Sequence, residues 1–92
     1  MFRWIEEISP ERVRHVSESL DSLPAAIPEI SRYQHGSDAG INPGNADYVV
    51  VADFTSVENY LVYRDHPVHQ QLISDVLAPL IASRTAVQYH LD

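Results

Sequence analysis

The chain has 92 residues, 45% of them hydrophobic and 21% charged, which suits one small globular domain. Its formal charge is −7 without a single lysine, so we expect no nucleic-acid partner and no anionic membrane partner. It has no cysteine, no visible signal peptide and no apolar stretch of the roughly 20 residues that a membrane span needs, so we expect a cytoplasmic protein.

The first part of the chain predicts a strand, a helix and a second strand. Residues 1–5 alternate between apolar and polar side chains, as a half-buried strand does. Residues 9–11 (Ser-Pro-Glu) predict a helix start, with a capping hydroxyl followed by a proline in the first turn. Pro24 and Pro28 end this helix, and residues 30–35 form the next strand. The helix carries an apolar stripe at helical spacing: Val13, Val16, Leu20 and Leu23.

Residues 36–45 hold all three glycines and predict a loop, whose glycine spacing matches no phosphate-binding motif. Residues 47–54 are the clearest strand, because both faces are largely apolar, as in a central strand. Thr55 and Glu58 have the spacing of a capping box, which predicts that a short helix begins here.

The last part of the chain predicts a second helical segment and a final strand. Pro67 restarts the helix, with Asp65 or His66 as its cap. Pro79 disfavours helix just before itself, so we expect a kink or an end there. Residues 84–91 then alternate between apolar and polar side chains, as a last strand would.

The predicted order of elements is β-α-β-β-α-β, with the second helix split in two. This is an α+β, ferredoxin-like unit with an antiparallel four-stranded sheet and helices on one face. The uncovered apolar face of such a sheet needs a partner. Two copies packed sheet to sheet would enclose a barrel with a central cavity, so we expect a homodimer.

The sequence from Tyr63 to His69, Tyr-Arg-Asp-His-Pro-Val-His, is the most specific motif. Together with residues 48–54 and the later Leu-Ala-Pro at residues 77–79, it resembles the stress-responsive A/B barrel (Dabb) family. The resemblance spans nearly the whole chain and implies a single domain over residues 1–92 and a homodimer whose two sheets form one barrel. It departs from the family at the first strand, which usually starts several residues earlier and often carries a histidine. We therefore expect a mis-assigned start codon or a shortened strand.

The resemblance also suggests an activity. One plant member of the family closes a linear polyketide by an aldol reaction, and its base histidine and assisting tyrosine match His69 and Tyr63. His66, Asp53 and Trp4 are further candidates for contact with a ligand. The resemblance implies no organic cofactor and no metal.

Helical spacing alone gives His69 a plausible position for such chemistry. It lies three and four residues before Leu72 and Ile73, on the apolar stripe of its helix, so it points inward. A partly desolvated histidine there can accept a proton near neutral pH. A core histidine bonded to the backbone fits the same pattern.

The other candidates also have structural interpretations. His66 fits a helix cap, and Tyr63 fits an aromatic core residue. Asp53 fits a structural ion pair with Arg3 or Arg32 on a neighbouring strand. His66 and His69 could face one metal, but no third ligand has supporting spacing, so no metal site is predicted.

Three functions therefore remain open at the level of sequence. The first is a barrel that binds a small, apolar, oxygenated molecule, with a cyclase-like activity in which His69 is the base. The second is a stress-associated structural dimer without enzymatic activity. The third is a cofactor-free monooxygenase, because such enzymes share the dimeric barrel architecture.

Overall fold

The computed structural model of the chain describes residues 1–91; Asp92, the last residue of the predicted domain, lies outside that range. Four antiparallel strands form one sheet in the order β2-β3-β1-β4, as the ferredoxin-like prediction requires. The elements in chain order are β1 (Phe2–Trp4), α1 (Pro10–Asp21), α2 (Leu23–Ala26), β2 (Arg32–Ser37), β3 (Tyr48–Asp53), α3 (Val57–Asp65), α4 (Pro67–Leu72) and β4 (Ile81–Arg84).

Helix α1 begins as its sequence predicts. The Ser9 side chain accepts a hydrogen bond from the backbone N–H of Arg12 at 3.2 Å, and Pro10 occupies the first turn. The apolar stripe faces the sheet, where it forms most of the core together with residues from β3 and the helical segment before β4. The buried core residues are Val16, Leu20, Leu23, Ile27, Tyr48, Leu72, Leu77 and Leu80.

The cap of α3 is Ser56, so the prediction of Thr55 was wrong. Ser56 has the extended backbone of a cap residue, and its hydroxyl accepts from the backbone N–H of Asn59 at 3.1 Å. The Thr55 hydroxyl instead accepts from the Asn59 side-chain amide at 3.0 Å. Two adjacent hydroxyls compete for the same role, and sequence spacing does not show which one has the extended backbone.

His66 separates α3 from α4 and caps the second of them. Its Nδ1 accepts a hydrogen bond from the backbone N–H of Val68 at 3.1 Å, and Pro67 takes the first helical position. Beyond Leu72 the helix widens into a π-helical turn, residues 73–77, and closes with a 3₁₀ turn that contains Pro79. The helix therefore ends where the proline predicts.

The last strand was misplaced by the sequence pattern. We expected residues 84–91, but β4 is Ile81–Arg84, and no helix or strand is assigned to residues 85–91. The physical reason is the register: Phe2 lies opposite Arg84, and Met1 exchanges backbone hydrogen bonds with Thr85. The alternating segment after Thr85 thus has no β1 residue to pair with.

The two faces of the sheet differ, as predicted. Tyr33 and His35 of β2 and Tyr48 and Val50 of β3 share the face that the helices cover. The opposite face carries no helix. Val49 and Val51 lie on it with 38% and 48% of their surface exposed. Within residues 1–91, no helix is both long enough and apolar enough to cross a membrane.

Candidate functional site beside His69 and Tyr63

The two residues of the predicted catalytic pair lie in contact. Tyr63 is in the last turns of α3 and His69 in the first turn of α4, and their ring centroids are 4.1 Å apart with an angle of 34° between the ring planes. The turn at His66 makes this possible, because it lets α4 start immediately after α3. The fold therefore brings an imidazole and a phenol together at one helix junction.

The hydrogen bond of His69 determines which of its nitrogens can react. Nδ1 lies 3.1 Å from the backbone carbonyl oxygen of Arg64. A carbonyl only accepts hydrogen bonds, so Nδ1 must carry the proton and donate it. In the neutral ring, Nε2 then holds the lone pair and is the atom able to accept a proton.

The surroundings of His69 favour this neutral form. Burial is the main cause that lowers its pKa from the ordinary value of 6.5, and the positive charge of Arg84 and the neighbouring His66 lower the pKa further. The Arg64 carbonyl acts in the opposite direction, because it also stabilises the protonated ring. The net effect is an imidazole that stays unprotonated at neutral pH.

Tyr33 of β2 is a third member of the site, and the sequence analysis did not identify it as a candidate. Its ring centroid is 6.3 Å from that of Tyr63. Its buried hydroxyl lacks a hydrogen bond of normal geometry among residues 1–91, although the Tyr63 hydroxyl is near enough to affect its pKa. Burial raises the pKa of both phenols, most strongly that of Tyr33, so both remain protonated donors. Leaving a buried hydroxyl unpaired is costly, which is typical of a site that receives a polar ligand atom or a water.

Two more aromatic rings make one side of the site apolar. The Phe54 centroid lies 5.1 Å from that of Tyr63 and 5.5 Å from that of Tyr60. Both residues are partly buried at the junction of β3 and α3. The positive charge of Arg84 lies close enough to lower the pKa of both Tyr63 and His69, so Arg84 is a cation near this site. The group of Tyr33, Tyr63 and His69 is called the tyrosine–histidine site below.

The remaining predicted ligand contacts are not members of this site, although His66 lies close to His69. His66 uses its Nδ1 in the helix cap. Trp4 packs beside Tyr48, at the opposite end of β3 from Phe54, with centroids 5.5 Å apart. Asp53 lies on the sheet face without helices, because side chains alternate along β3.

Asp53 also lacks the ion pair that we expected. Arg32 lies directly opposite it in the β2–β3 register, while the Arg3 guanidinium donates to the Gly44 carbonyl at 2.6 Å. The ion pairs of the described residues join His35 to Asp21 and Arg64 to Asp65. The Arg3 side chain thus binds a backbone carbonyl instead of Asp53, which the positions of the strands in the sequence do not predict.

The position of the site corrects one further expectation. We expected His69 to line a cavity between two sheets, but it lies on the helix-covered side of its own sheet, with Tyr33. Two surface clefts of the described residues lie elsewhere, one between α1 and α4 and one beside Arg3 and Arg84. Within residues 1–91, no three histidine, aspartate or glutamate side chains lie close enough to hold a metal ion.

A second polar array lies next to the site, and the sequence did not predict it. The His35 imidazole is 7% exposed; its Nε2 donates to the Asp21 carboxylate at 2.6 Å, and its Nδ1 accepts from the Tyr48 hydroxyl at 2.7 Å. Tyr33 touches this array, with its ring centroid 5.9 Å from that of His35. The array fastens α1 to β2 and β3.

The sequence model of the stress responsive A/B barrel domain matches residues 1–91. The chain belongs to the stress-responsive A/B barrel family. No curated protein sequence gives a significant match. A dimeric ferredoxin-like protein of unknown function from Thermobifida fusca is 42% identical over 99% of this chain and 85% of its own, with a TM-score of 0.90.

Two more solved structures show the same A/B barrel fold. A dimeric ferredoxin-like protein from Bacteroides fragilis is 25% identical, with a TM-score of 0.78, over 98% of this chain and 89% of its own. The hydroxynitrile lyase from Passiflora edulis has a TM-score of 0.85 over 99% of this chain and 87% of its own. Its identity is 16%, so that likeness shows the fold alone.

Proposed function

We propose that this A/B barrel protein binds a small, apolar, carbonyl-containing molecule at the tyrosine–histidine site and removes a proton next to the carbonyl. The single observation that carries the proposal is the fixed tautomer of His69. Its Nδ1 is held by the Arg64 carbonyl, which leaves a basic Nε2 beside the Tyr63 ring. A base needs such a lone pair, directed by a fixed partner on the other ring nitrogen.

The proposed step balances without a cofactor. Nε2 of His69 takes a proton from the carbon next to the carbonyl, and the C–H electron pair forms the carbon–carbon double bond of an enolate. The carbonyl π electrons move to oxygen, where the Tyr63 hydroxyl donates a hydrogen bond. The buried Tyr33 hydroxyl is a second donor, because it has no partner among residues 1–91. In a substrate with two carbonyls, the enolate carbon then attacks the second carbonyl carbon, whose π electrons move to its oxygen. The resulting alkoxide takes the proton back from Nε2 of His69, which completes the ring and restores the neutral base.

The surroundings support an apolar, oxygenated ligand. Phe54 and Tyr60 offer aromatic surface, while the phenols of Tyr33 and Tyr63 offer donors for oxygen. Arg84 favours negative charge that develops nearby, such as an enolate or a carboxylate. The hydroxynitrile lyase from Passiflora edulis is an enzyme on the same fold, which makes catalysis on this scaffold reasonable.

The protein is proposed to act as a homodimer. The helix-free face of the sheet exposes Val49 and Val51, and such a face needs cover. The relatives from Thermobifida fusca and Bacteroides fragilis are described as dimeric. Two sheets packed through these faces would leave the tyrosine–histidine site of each copy on its own helix side.

A structural dimer without activity is the second candidate. Two observations favour it: His69 is bonded to the main chain, and neither of the two clefts described above is lined by His69 or Tyr63. In that case the tyrosines and His69 would be core packing. The two candidate functions make different predictions for a ketone, because only the first expects the protein to accelerate exchange of the ketone's protons with solvent.

Exchange of ketone protons with solvent distinguishes the candidates without knowledge of the natural substrate. We would follow 4-phenyl-2-butanone in D₂O by proton NMR and measure deuterium entry next to its carbonyl. The proposal expects the protein to accelerate exchange and His69→Gln to lower that acceleration by about 100-fold or more. His66→Asn is the matched control, since it changes a nearby histidine and can still cap the helix. Equal rates with and without protein would leave the structural dimer as the better account.

A further inference from the structure

Arg84 places a positive charge on the same side of the sheet as the tyrosine–histidine site. It lies opposite Phe2 in the β1–β4 register, and Phe2 lies opposite Tyr48 in the β1–β3 register. Directly opposed residues of antiparallel strands project from one face, so Arg84 shares the face of the buried Tyr48, which the helices cover. Arg84 therefore belongs to the layer that holds Tyr63 and His69, not to the helix-free face.

The position of Arg84 in the sheet leaves its side chain open to solvent. Strand β4 is an outer strand in the order β2-β3-β1-β4, and Arg84 is its last residue and is exposed. Its charge nevertheless acts on both Tyr63 and His69, because it lowers the pKa of each. The guanidinium thus lies at the rim of the site, where one end of a bound molecule can meet it.

Arg84 has no carboxylate partner among residues 1–91. The ion pairs of these residues use other groups, and the arginine side chains that form hydrogen bonds there are Arg3 and Arg64. Over the same range, three more arginines are without an ion pair: Arg12, Arg14 and Arg32. Of all six arginines, only Arg84 alters the pKa of His69 through its charge. The one cation beside the candidate base therefore keeps its N–H donors available for an anion.

A permanent anion suits this position better than the developing enolate does. The enolate oxygen would form beside the half-buried phenols of Tyr33 and Tyr63, which are donors inside the site. Water and salt screen an exposed guanidinium, so it stabilises a transient charge at a distance only weakly. A carboxylate brought into contact with it accepts two parallel hydrogen bonds, which is the stronger arrangement.

We propose that the substrate of the tyrosine–histidine site is a ketone that also carries a carboxylate, and that Arg84 binds this carboxylate while the ketone lies at His69. This substrate class rests on the proposed function. The aromatic surface of Phe54 and Tyr60 favours an apolar link between the two groups. The net charge of −7 repels anions at long range, so recognition of an anionic ketone requires a local cation. Arg84 determines specificity and touches no reacting atom.

Matched acid and amide probes measure the contribution of Arg84 to binding. 4-(3-Oxobutyl)benzoate and 3-(3-oxobutyl)benzoate add a carboxylate to 4-phenyl-2-butanone at different distances from the ketone, and the corresponding benzamides keep the shape without the charge. Equilibrium dialysis should show that at least one acid binds roughly fivefold or more tightly than its amide, with a smaller preference at high salt. Arg84→Gln should abolish the preference, and Arg84→Lys should retain part of it. Arg14→Gln is the control, since it removes an exposed arginine of α1 and should keep the preference in full.

Equal affinities for acid and amide in the unchanged protein, or a preference that persists in Arg84→Gln, would overturn the carboxylate site. Proton exchange of the same probes adds a kinetic test. In Arg84→Gln the KM of the acid should rise relative to that of its amide, whereas the ratio of their kcat values should stay the same, because both probes use the same base. A fall in kcat alone would assign Arg84 to the enolate and overturn its role as a carboxylate ligand.

Failure of this proposal and failure of the proposed function give different results. If no probe exchanges faster with the protein than without it, the proposed base chemistry fails. A preference for the acid that depends on Arg84 would then still support the carboxylate site, because dialysis measures binding without turnover. Accelerated exchange of acid and amide alike, with equal affinities, would support the base and overturn the carboxylate site.

Discussion

His66 and His69, three residues apart at the start of α4, use the same ring nitrogen in opposite ways. Nδ1 of His66 accepts from the Val68 N–H, whereas Nδ1 of His69 donates to the Arg64 carbonyl. In the neutral rings, the proton is therefore on Nε2 of His66 and on Nδ1 of His69. Only His69 presents a basic Nε2, which explains why neighbouring histidines on one helix would have different roles.

Replacement of Tyr63 by phenylalanine separates hydrogen bonding from packing. The ring contact with His69 stays, so we expect the free energy of unfolding to change by less than about 1 kcal/mol. The enolate loses one donor, so the rate of ketone exchange should fall by about tenfold to 100-fold. Urea denaturation and proton NMR measure the two effects. An unchanged exchange rate in Tyr63→Phe would remove the tyrosine from the mechanism.

Tyr33→Phe should weaken ketone binding without lowering the stability of the free protein. The Tyr33 hydroxyl is buried without a partner among residues 1–91, so its removal should leave the free energy of unfolding unchanged or raise it by about 1 kcal/mol. Affinity for 4-phenyl-2-butanone should fall, because a donor for the carbonyl oxygen is lost. Thermal unfolding with and without the ketone measures both. A clear loss of stability without ligand would show that the hydroxyl has a structural partner.

The stability of the protein should depend on pH through His69. Its pKa in the folded protein lies below the ordinary value of 6.5, so the unfolded chain binds a proton more readily. The free energy of unfolding should therefore fall as pH drops from about 6.5 through the lower pKa of the folded state. The His69→Gln variant should show a flatter slope over this range in urea denaturation at several pH values. The same slope in both proteins would contradict the inferred pKa direction.

The Asp21–His35–Tyr48 array should behave as one unit. Tyr48→Phe removes the donor to Nδ1 of the buried imidazole, which should lower the free energy of unfolding by about 1 kcal/mol. Asp21→Ala removes the acceptor for Nε2. A double-mutant cycle should give a coupling energy different from zero, because both partners act through one ring. Purely additive effects would show that the two bonds are independent.

The fold could be predicted from the sequence because most of its signals are local. Ser9 and Pro10 start α1, the apolar stripe faces the sheet, and Pro67 begins α4 directly after the His66 cap. The local sequence pattern gave a wrong prediction where a strand depends on a pairing partner that is distant in the sequence. Residues 85–91 have the alternation of a strand, but they can pair with β1 only as far as β1 extends opposite them.

The candidate site was predictable only in part, for the same reason. The pair of Tyr63 and His69 lies within seven residues and follows from a single motif. Tyr33 is thirty positions earlier in sequence, and only the β2–β3 register places it under Tyr63. The alternation of side chains along β2 predicts that Tyr33 shares a face with His35. It does not predict which face of the sheet the helices cover. The bond from His69 to the Arg64 carbonyl, which sets the tautomer, has no sequence signal.

The measurement that tests the central claim most directly is a long-range ¹H–¹⁵N NMR spectrum of the histidine rings, recorded with and without 4-phenyl-2-butanone. We predict that His69 has a protonated Nδ1 and an unprotonated Nε2 at pH 7, that it titrates below 6.5, and that its Nε2 signal moves when the ketone binds. His66 should show the opposite tautomer and serve as the internal control. A proton on Nε2 of His69, or no response to the ketone, would contradict the account.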